Sequence, residues 1–507
     1  MRKQMKIAAV VSTAALLALG ASMTSMAASK GTWKMDDNDW MCYDKNGDAY
    51  EATFCLSNGK EYYVGDDGYL VRSEWVDYDG DMYYVNSAGT KVINDWKLLT
   101  PYEDEEAEAV WYYFGSTGKR VEEAKKVINN KTYYFHADGA MLTGWVNDDN
   151  MEEASSVDKD HTFYCDETGA RVQKSWVKTT VPGADEDDED EFWYYLKSTG
   201  KVATGKQGSI NGQTYFFDVN GQMLSGWVGK DGSDNYVSVQ DEVTDADTLS
   251  KLVGDGYQSF YYCSGEDDGH MKKDKWVKLW RNTEADDEDY DNDQYWFYLE
   301  KDGSVLLPEV ADAASKVKFN DGNLSVGDDR TFESHKINGK EYFINKDGEM
   351  LTGLIMDKNS NIFYLGSDGA VKTGSQTIND DNDEAYKFYF DTEDDSKGVA
   401  LTGNKSGKLY VQGKLVTADT YKYEIVSIEG TALNGKSFII NSNGTIQSKD
   451  SLYREDGETL IDAEKDAPTF STAKDETKGS FPTEEIATKS LLKEDKAVQE
   501  ITAITAK

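Results

Sequence analysis

The side chains that most often carry catalysis are present in this chain of 507 residues but are not grouped for it. The four histidines, His136, His161, His270 and His335, share no metal-ligand or triad spacing. No HExxH, GxSxG or phosphate-cradling glycine loop occurs. Carboxylates are abundant, yet they run together as PYEDEEAEA (101–109), PGADEDDEDE (182–191) and TEADDEDYDND (283–293). Such runs read as solvated loops, whereas a general acid needs an apolar pocket to raise its pKa. Asp77-Tyr78-Asp79-Gly80-Asp81 offers oxygens at alternating positions, as calcium loops do. It lacks the glycine at the sixth position and the glutamate at the twelfth, where Ala88 stands. Calcium, here or loosely held on the acidic runs, is the one cofactor left open. No catalytic residue and no metal ligand is assigned, and the chain is read as a non-enzyme.

The aromatics offer a different chemistry, that of holding a ligand. Tyr numbers 32 and Trp 12, a skew that also argues against disorder over most of the length. Trp145 and Trp227 follow a glycine just past a turn, and Trp75, Trp96, Trp176 and Trp276 take the same place after Glu, Asp, Ser or Lys. Trp111, Trp193 and Trp296 lead aromatic runs nearby, followed by Tyr112, Tyr194 and Phe297. Two or three aromatic faces around a groove attract a quaternary ammonium, at ~2 kcal/mol or more when desolvated. They stack equally well on the apolar face of a sugar ring. The same rings can instead seal the junction between repeats, and both uses stay open at this stage.

These rings must be positioned by repeats. KTYYFHADGAMLTGWV (131–146) returns as QTYFFDVNGQMLSGWV (213–228) and KEYFINKDGEMLTGLI (340–355). A looser form recurs as YYVNSAGTKV (83–92), YYFGSTGKRV (112–121), FYCDETGARV (163–172) and FYLGSDGAV (363–371). Each reads as a β-hairpin: an aromatic strand, a polar turn closed by Asp138-Gly139, Asn220-Gly221 or Thr199-Gly200, and a second short strand. A lone hairpin is marginal in water, so a string of them must stack its aromatic faces. The expected fold is all-β: an elongated β-hairpin repeat solenoid with acidic loop insertions and a disordered or weakly helical C-terminal tail. Repeats are expected over residues 29–446, regular to about 374 and degenerate after, followed by a polar tail at 447–507 with helical composition at 483–501. Helix is also expected at 241–253 and 308–318, where Pro308 suits a first helical residue.

Residues 1–28 read as a secretory signal peptide. Arg2, Lys3 and Lys6 precede an apolar run from Ile7 to Gly20, and small residues gather at Ser25, Ala27 and Ala28. No later segment is apolar enough to span a bilayer, so the expected product is exported and held on a surface noncovalently. A formal charge of −40 argues against nucleic acid or anionic lipid as partner and favours cationic ligands. Among the cysteines, Cys165 and Cys263 occupy the slot filled by Phe135 and Phe217, which suits a small buried apolar side chain; Cys42 and Cys55 are near enough in sequence to pair.

GKEYFINKDGEMLTG and NGQTYFFDVNGQMLSGWV resemble the cell-wall-binding repeats of secreted Gram-positive proteins, a group that includes choline-binding, glucan-binding and clostridial toxin-type repeats. The resemblance implies a hairpin solenoid that holds cell-wall choline or polysaccharide between successive hairpins. Matched to the family pattern GWxxxxGxWYYxxxxGxMxxGW, the junction Trp falls at Trp145 and Trp227 and less closely at Trp75, Trp96, Trp176 and Trp276. The strand-leading aromatics fall at Trp111, Trp193 and Trp296 with Tyr112, Tyr194 and Phe297 next, and the Met at Met141, Met223 and Met350. Two departures stand out: acidic inserts separate the junction Trp from the next aromatic run, and Leu354 and Asn404 replace Trp in later units. The function expected is a wall- or glycan-binding repeat protein of the bacterial surface. The competing expectation is a structural or adhesive spacer displaying acidic, calcium-binding loops.

Overall fold

The computed structural model describes residues 28–506 apart from 37–38, 105, 186–189, 241–242, 244–248, 281–293, 309–311, 432, 434–435, 465–468, 471–476 and 479–497. The expected leader, apart from Ala28, the whole of the third acidic run and all but the end of the helix expected at 483–501 therefore lie outside the described residues. Two compact units are present: one runs to Ser225 and adds Asn235–Val237 and Ser264–His270, and the other takes Gly226–Asp234, Ser238–Cys263 and the chain from Met271.

The first unit is mainly a succession of two-stranded antiparallel hairpins, with three-stranded sheets at Ser29–Lys30 with Thr53–Ser57 and Lys60–Val64, and at Gly144–Asn147 between Glu152–Glu153 and Thr162–Cys165. Glu74–Tyr78 pairs with Asp81–Val85, Asp95–Leu99 with Val110–Phe114, Ala124–Ile128 with Lys131–Phe135, and Ser175–Thr179 with Phe192–Leu196. This corrects the expected phase of the hairpin. The aromatic strand Lys131–Phe135 pairs with the strand before it, across a tight turn in which Asn129 and Asn130 both take positive φ, at 48° and 65°. Two successive positive φ values make the turn whose twist matches that of a hairpin. The turn at Gly139 leads only to a single bridge, Phe135 to Met141. From there the backbone reaches back one hairpin, where the Met141 N–H donates to the Trp111 carbonyl at 2.8 Å. Successive hairpins are tied together at this step.

A residue at or next to the end of most aromatic strands forms the core. Val85, Phe114, Phe135, Cys165, Leu196 and Phe217 are all fully buried in the first unit, as are Cys263, Leu299 and Ile344 in the second. Each such Phe contributes about 1.5–3 kcal/mol by leaving water. Cys165 and Cys263 thus serve as small apolar residues, and burial pushes both thiols up to about 12. Cys42 and Cys55 form no disulfide, and their buried side chains share one cluster with Val64.

In the second unit, hairpins give way to wider sheets. Lys340–Asn345, Asn323–Ile337, Asp312–Asn320, Gly353–Met356 and Ile362–Leu365 lie side by side in that order. The helix expected at 308–318 is therefore replaced from Asp312 onward by a strand. Buried and exposed residues alternate from Ser315 to Asn320, and Asp321-Gly322 then turns the chain with φ of 49° and 71°. That turn outweighs the helix propensity of the alanines. A short helix at Leu249–Gly254 does fall at the end of the other stretch expected to be helical. The tail also departs from expectation. Leu452–Glu455 and Glu458–Asp462 form a hairpin, and Val498–Thr502 lies parallel to Tyr423–Glu429. Ile501 packs there against Val426, Ile428, Phe438 and Ile440, which is why a polar tail ends in an ordered strand.

Candidate functional site: three aromatic corners

Pairing across the acidic inserts decides which rings meet. In Asp95–Leu99, Trp96 stands directly opposite Tyr113. Its ring lies 5.1 Å from Tyr113, 4.9 Å from Tyr133 on the next hairpin and 5.7 Å from Phe135, centroid to centroid. Met141 packs into the same group. The arrangement recurs around Trp176, which stands opposite Tyr195 with Tyr215 and Phe217 on the next hairpin, at 5.2, 4.9 and 5.7 Å. Met223 completes that group. In the second unit Trp276 stands opposite Tyr298, with Tyr342 beyond, at 5.3 and 4.8 Å, and Met350 beside them. Each corner is thus one Trp, two Tyr and one Met, drawn from two successive hairpins. Trp96, Trp176 and Trp276 are only partly buried, so their rings remain accessible from solvent.

Each corner has a carboxylate nearby, and the first two also carry a lysine at the edge, with Lys126 Nζ 6.0 Å from the Tyr113 centroid and Lys178 Nζ 5.8 Å from that of Trp193. Burial raises the Tyr113 and Tyr133 phenols, and the carboxylates of Asp95 and Asp166 push them further. Tyr215 is raised by burial and by Asp268. Tyr298 is raised by burial and by Asp274, to which its hydroxyl donates at 3.1 Å. Aromatic faces rimmed by carboxylates favour a cation.

The remaining expected site residues separate into two groups. Trp111, Trp193 and Trp296 mark the rim. Their carbonyls accept the backbone N–H of Met141, Met223 and Met350, each at 2.8 Å. Trp296 is 38% exposed. The Trp193 indole meets the Trp176 ring edge-on at 6.3 Å and donates to Asp267 at 3.3 Å. By contrast Tyr112, Tyr194, Trp145 and Trp227 are sealed, at 1%, 0%, 7% and 1% exposure. Trp145 donates its indole N–H to the Thr180 carbonyl at 2.8 Å, and Trp227 lies against Tyr262 and Phe297. Trp145 and Trp227, the closest matches to the family's junction Trp, thus hold hairpins together. The Tyr members of the corners were not among the expected site residues. Only the correct strand pairing reveals them, because each faces its Trp across an insert or from the next hairpin.

The acidic pentad at Asp77 does not converge as a calcium loop. Asp79 and Gly80 form a hairpin turn, with φ of 57° and 78°, between paired Tyr78 and Asp81. Asp81 forms an ion pair with Lys119. Among the described residues no group of three or more His, Cys, Asp or Glu is placed to hold a metal ion. Nor is any helix among them long and apolar enough to cross a membrane.

Comparison with known proteins bears on these hairpins. Residues 124–176 match a profile described as a choline-binding repeat, and residues 209–223 match one described as a putative cell wall binding repeat. The chain is 24% identical over 465 residues to Glucosyltransferase-I of Streptococcus downei, covering 80% of this chain and 25% of that protein. It is 29% identical over 133 residues to a putative endo-beta-N-acetylglucosaminidase of Streptococcus pneumoniae serotype 4, covering 26% of this chain and 16% of that protein. The chain thus spans a quarter or less of the length of these relatives. Among solved structures it is similar to CbpJ of Streptococcus pneumoniae TIGR4, at 19% identity over 69% of this chain and 99% of that one, with a TM-score of 0.38. It is similar also to choline binding protein F of Streptococcus pneumoniae, solved in the presence of a peptidoglycan analogue, at 18% identity over 74% and 100%, with a TM-score of 0.37. The two matches support a cell-wall-binding repeat family and place repeats of the kind described as choline-binding and as putative cell wall binding at residues 124–176 and 209–223 of this chain.

Proposed function

We propose that this protein is an exported, non-catalytic binder of the bacterial cell wall that holds the quaternary ammonium of wall choline at the Trp96, Trp176 and Trp276 corners. The observation that carries this reading is the repetition of one constellation, Trp with two Tyr and Met beside carboxylates. The Trp and Tyr faces supply cation–π attraction, Met supplies a soft polarizable wall, and the acidic rim draws the cation in. A choline headgroup needs no general acid or nucleophile to be held, so binding alone accounts for the residues present at the corners. Carbohydrate is the second reading. It is favoured by the outward-facing Trp296 ring at the rim and by the likeness to a glucosyltransferase. Calorimetric titration of the full chain with choline, and separately with a soluble glucan, distinguishes the two. Saturable heat with choline and none with glucan is expected; the reverse result would transfer the site to sugar.

A further inference from the structure

The seat that Met takes in each corner is filled differently at other junctions of the first unit. Met141 lies under the turn of Gly169, and Met223 under that of Gly269, so closely that a Cβ on either glycine would collide with the sulfur. In the same relation Lys91 lies under Gly118, Arg120 under Gly139 and Arg171 under Gly200. The backbone repeats too: the N–H of Lys91, Arg120 and Arg171 donates to the carbonyl of Glu61, Met82 and Thr132, each at 2.8 Å, as Met141 does to Trp111. These three side chains therefore occupy the ligand-wall position, and each carries a cation of its own.

The cationic heads rest on the rings of their junctions. Lys91 Nζ is 4.7 Å from the Phe54 centroid and 5.4 Å from that of Tyr83, and it is ion-paired with Glu61. The Arg120 guanidinium lies 5.7 Å from the Trp75 ring, with its Nη2 donating to Glu122 at 2.8 Å. The Arg171 guanidinium lies 5.1 Å from Phe163 and donates to the Tyr134 hydroxyl at 3.2 Å. We propose that Lys91, Arg120 and Arg171 are built-in occupants, which fill three aromatic junctions with the chain's own cations and so restrict an external quaternary ammonium to the Met junctions. A tethered cation has a high effective concentration at its ring, and its charge repels a second cation. Met41 under Gly68 and Met271 under Gly303 take the same seat outside the three corners, so the seat residue determines binding only at junctions whose rings form a cage.

This inference rests on the choline reading above, and its test separates the two. Equilibrium dialysis with choline is run on the full chain, on Arg120→Met, on Lys91→Met and on Arg120→Lys, with circular dichroism confirming the fold of each. Each Met variant is expected to bind one more choline than the parent chain, four in place of three, and Arg120→Lys to keep three. A Met variant that binds choline while the parent binds none would support the built-in cation and remove the three-corner reading. A parent that binds three, with both folded Met variants also binding three, would overturn the inference and leave the corners intact. Absence of choline binding by all four proteins would overturn both. Two seats are tested because either substitution alone can perturb its hairpin.

Discussion

A tryptophan in this chain acquires its role from its neighbours rather than from its own type. Trp176 and Trp227 both begin a hairpin opposite a Tyr, yet Trp176 stays partly open beside Met223 while Trp227 is closed in by Tyr262 and Phe297. Trp176→Ala is expected to remove one choline site, with that site weakened tenfold or more, since a lost aromatic face is worth ~1–2 kcal/mol. Trp227→Ala is expected to cost ~3–5 kcal/mol of stability with the count of sites unchanged. Paired denaturation and binding curves check both. The sealed tyrosines make a second expectation. Burial pushes Tyr112, Tyr134 and Tyr194 up to about 12. Between the unfolded value near 10 and that value the folded state holds more protons, so stability falls as pH rises through this window. Absorbance at 295 nm should show a class of phenols that ionises only as the protein unfolds. Smooth ionisation of all tyrosines near pH 10, with the fold intact, would contradict their burial. The positions of the rings were readable in the sequence. Their division into open and sealed was not, because it depends on which Tyr faces which Trp across an insert.

The hairpin was legible as an element, but its phase was not. Aromatic runs and glycine turns announce short strands, and these exist. Yet the Asp-Gly, Asn-Gly and Thr-Gly turns that stand out at 138–139, 220–221 and 199–200 follow the hairpin instead of closing it. The closing turn lies just before the first long repeat, at Asn129-Asn130, a quieter signal in the same chemistry. Asn130→Gly should be tolerated, whereas Asn130→Val should cost about 1–2 kcal/mol, because a β-branched residue resists the left-handed region. Thermal unfolding of the two variants checks the ordering. Composition misled in the polar tail for a related reason: a strand of five residues needs few apolar side chains when an existing sheet edge supplies its partner. Deleting residues 498–507 strips Val498–Thr502 from Tyr423–Glu429 and exposes the cluster around Val426 and Ile428. A fall of several degrees in Tm is expected, and an unchanged Tm would show that the strand adds nothing.

Across the whole molecule, three corners of one composition stand within an acidic chain of formal charge −40. That charge raises the local concentration of a small cation, so choline affinity should weaken as salt screens it. The family resemblance was carried by short motifs, and the two repeat matches fall within the stretch that those motifs define. Which of the many aromatic junctions combine one Trp, two Tyr and a Met emerges only when the hairpins are stacked. The most direct test is the number of choline molecules bound per full chain by equilibrium dialysis, measured on the parent protein and on the combined Trp96→Ala, Trp176→Ala and Trp276→Ala variant. Three molecules on the parent and none on the folded variant is the predicted result. Equal binding by the two proteins would contradict the assignment of the corners.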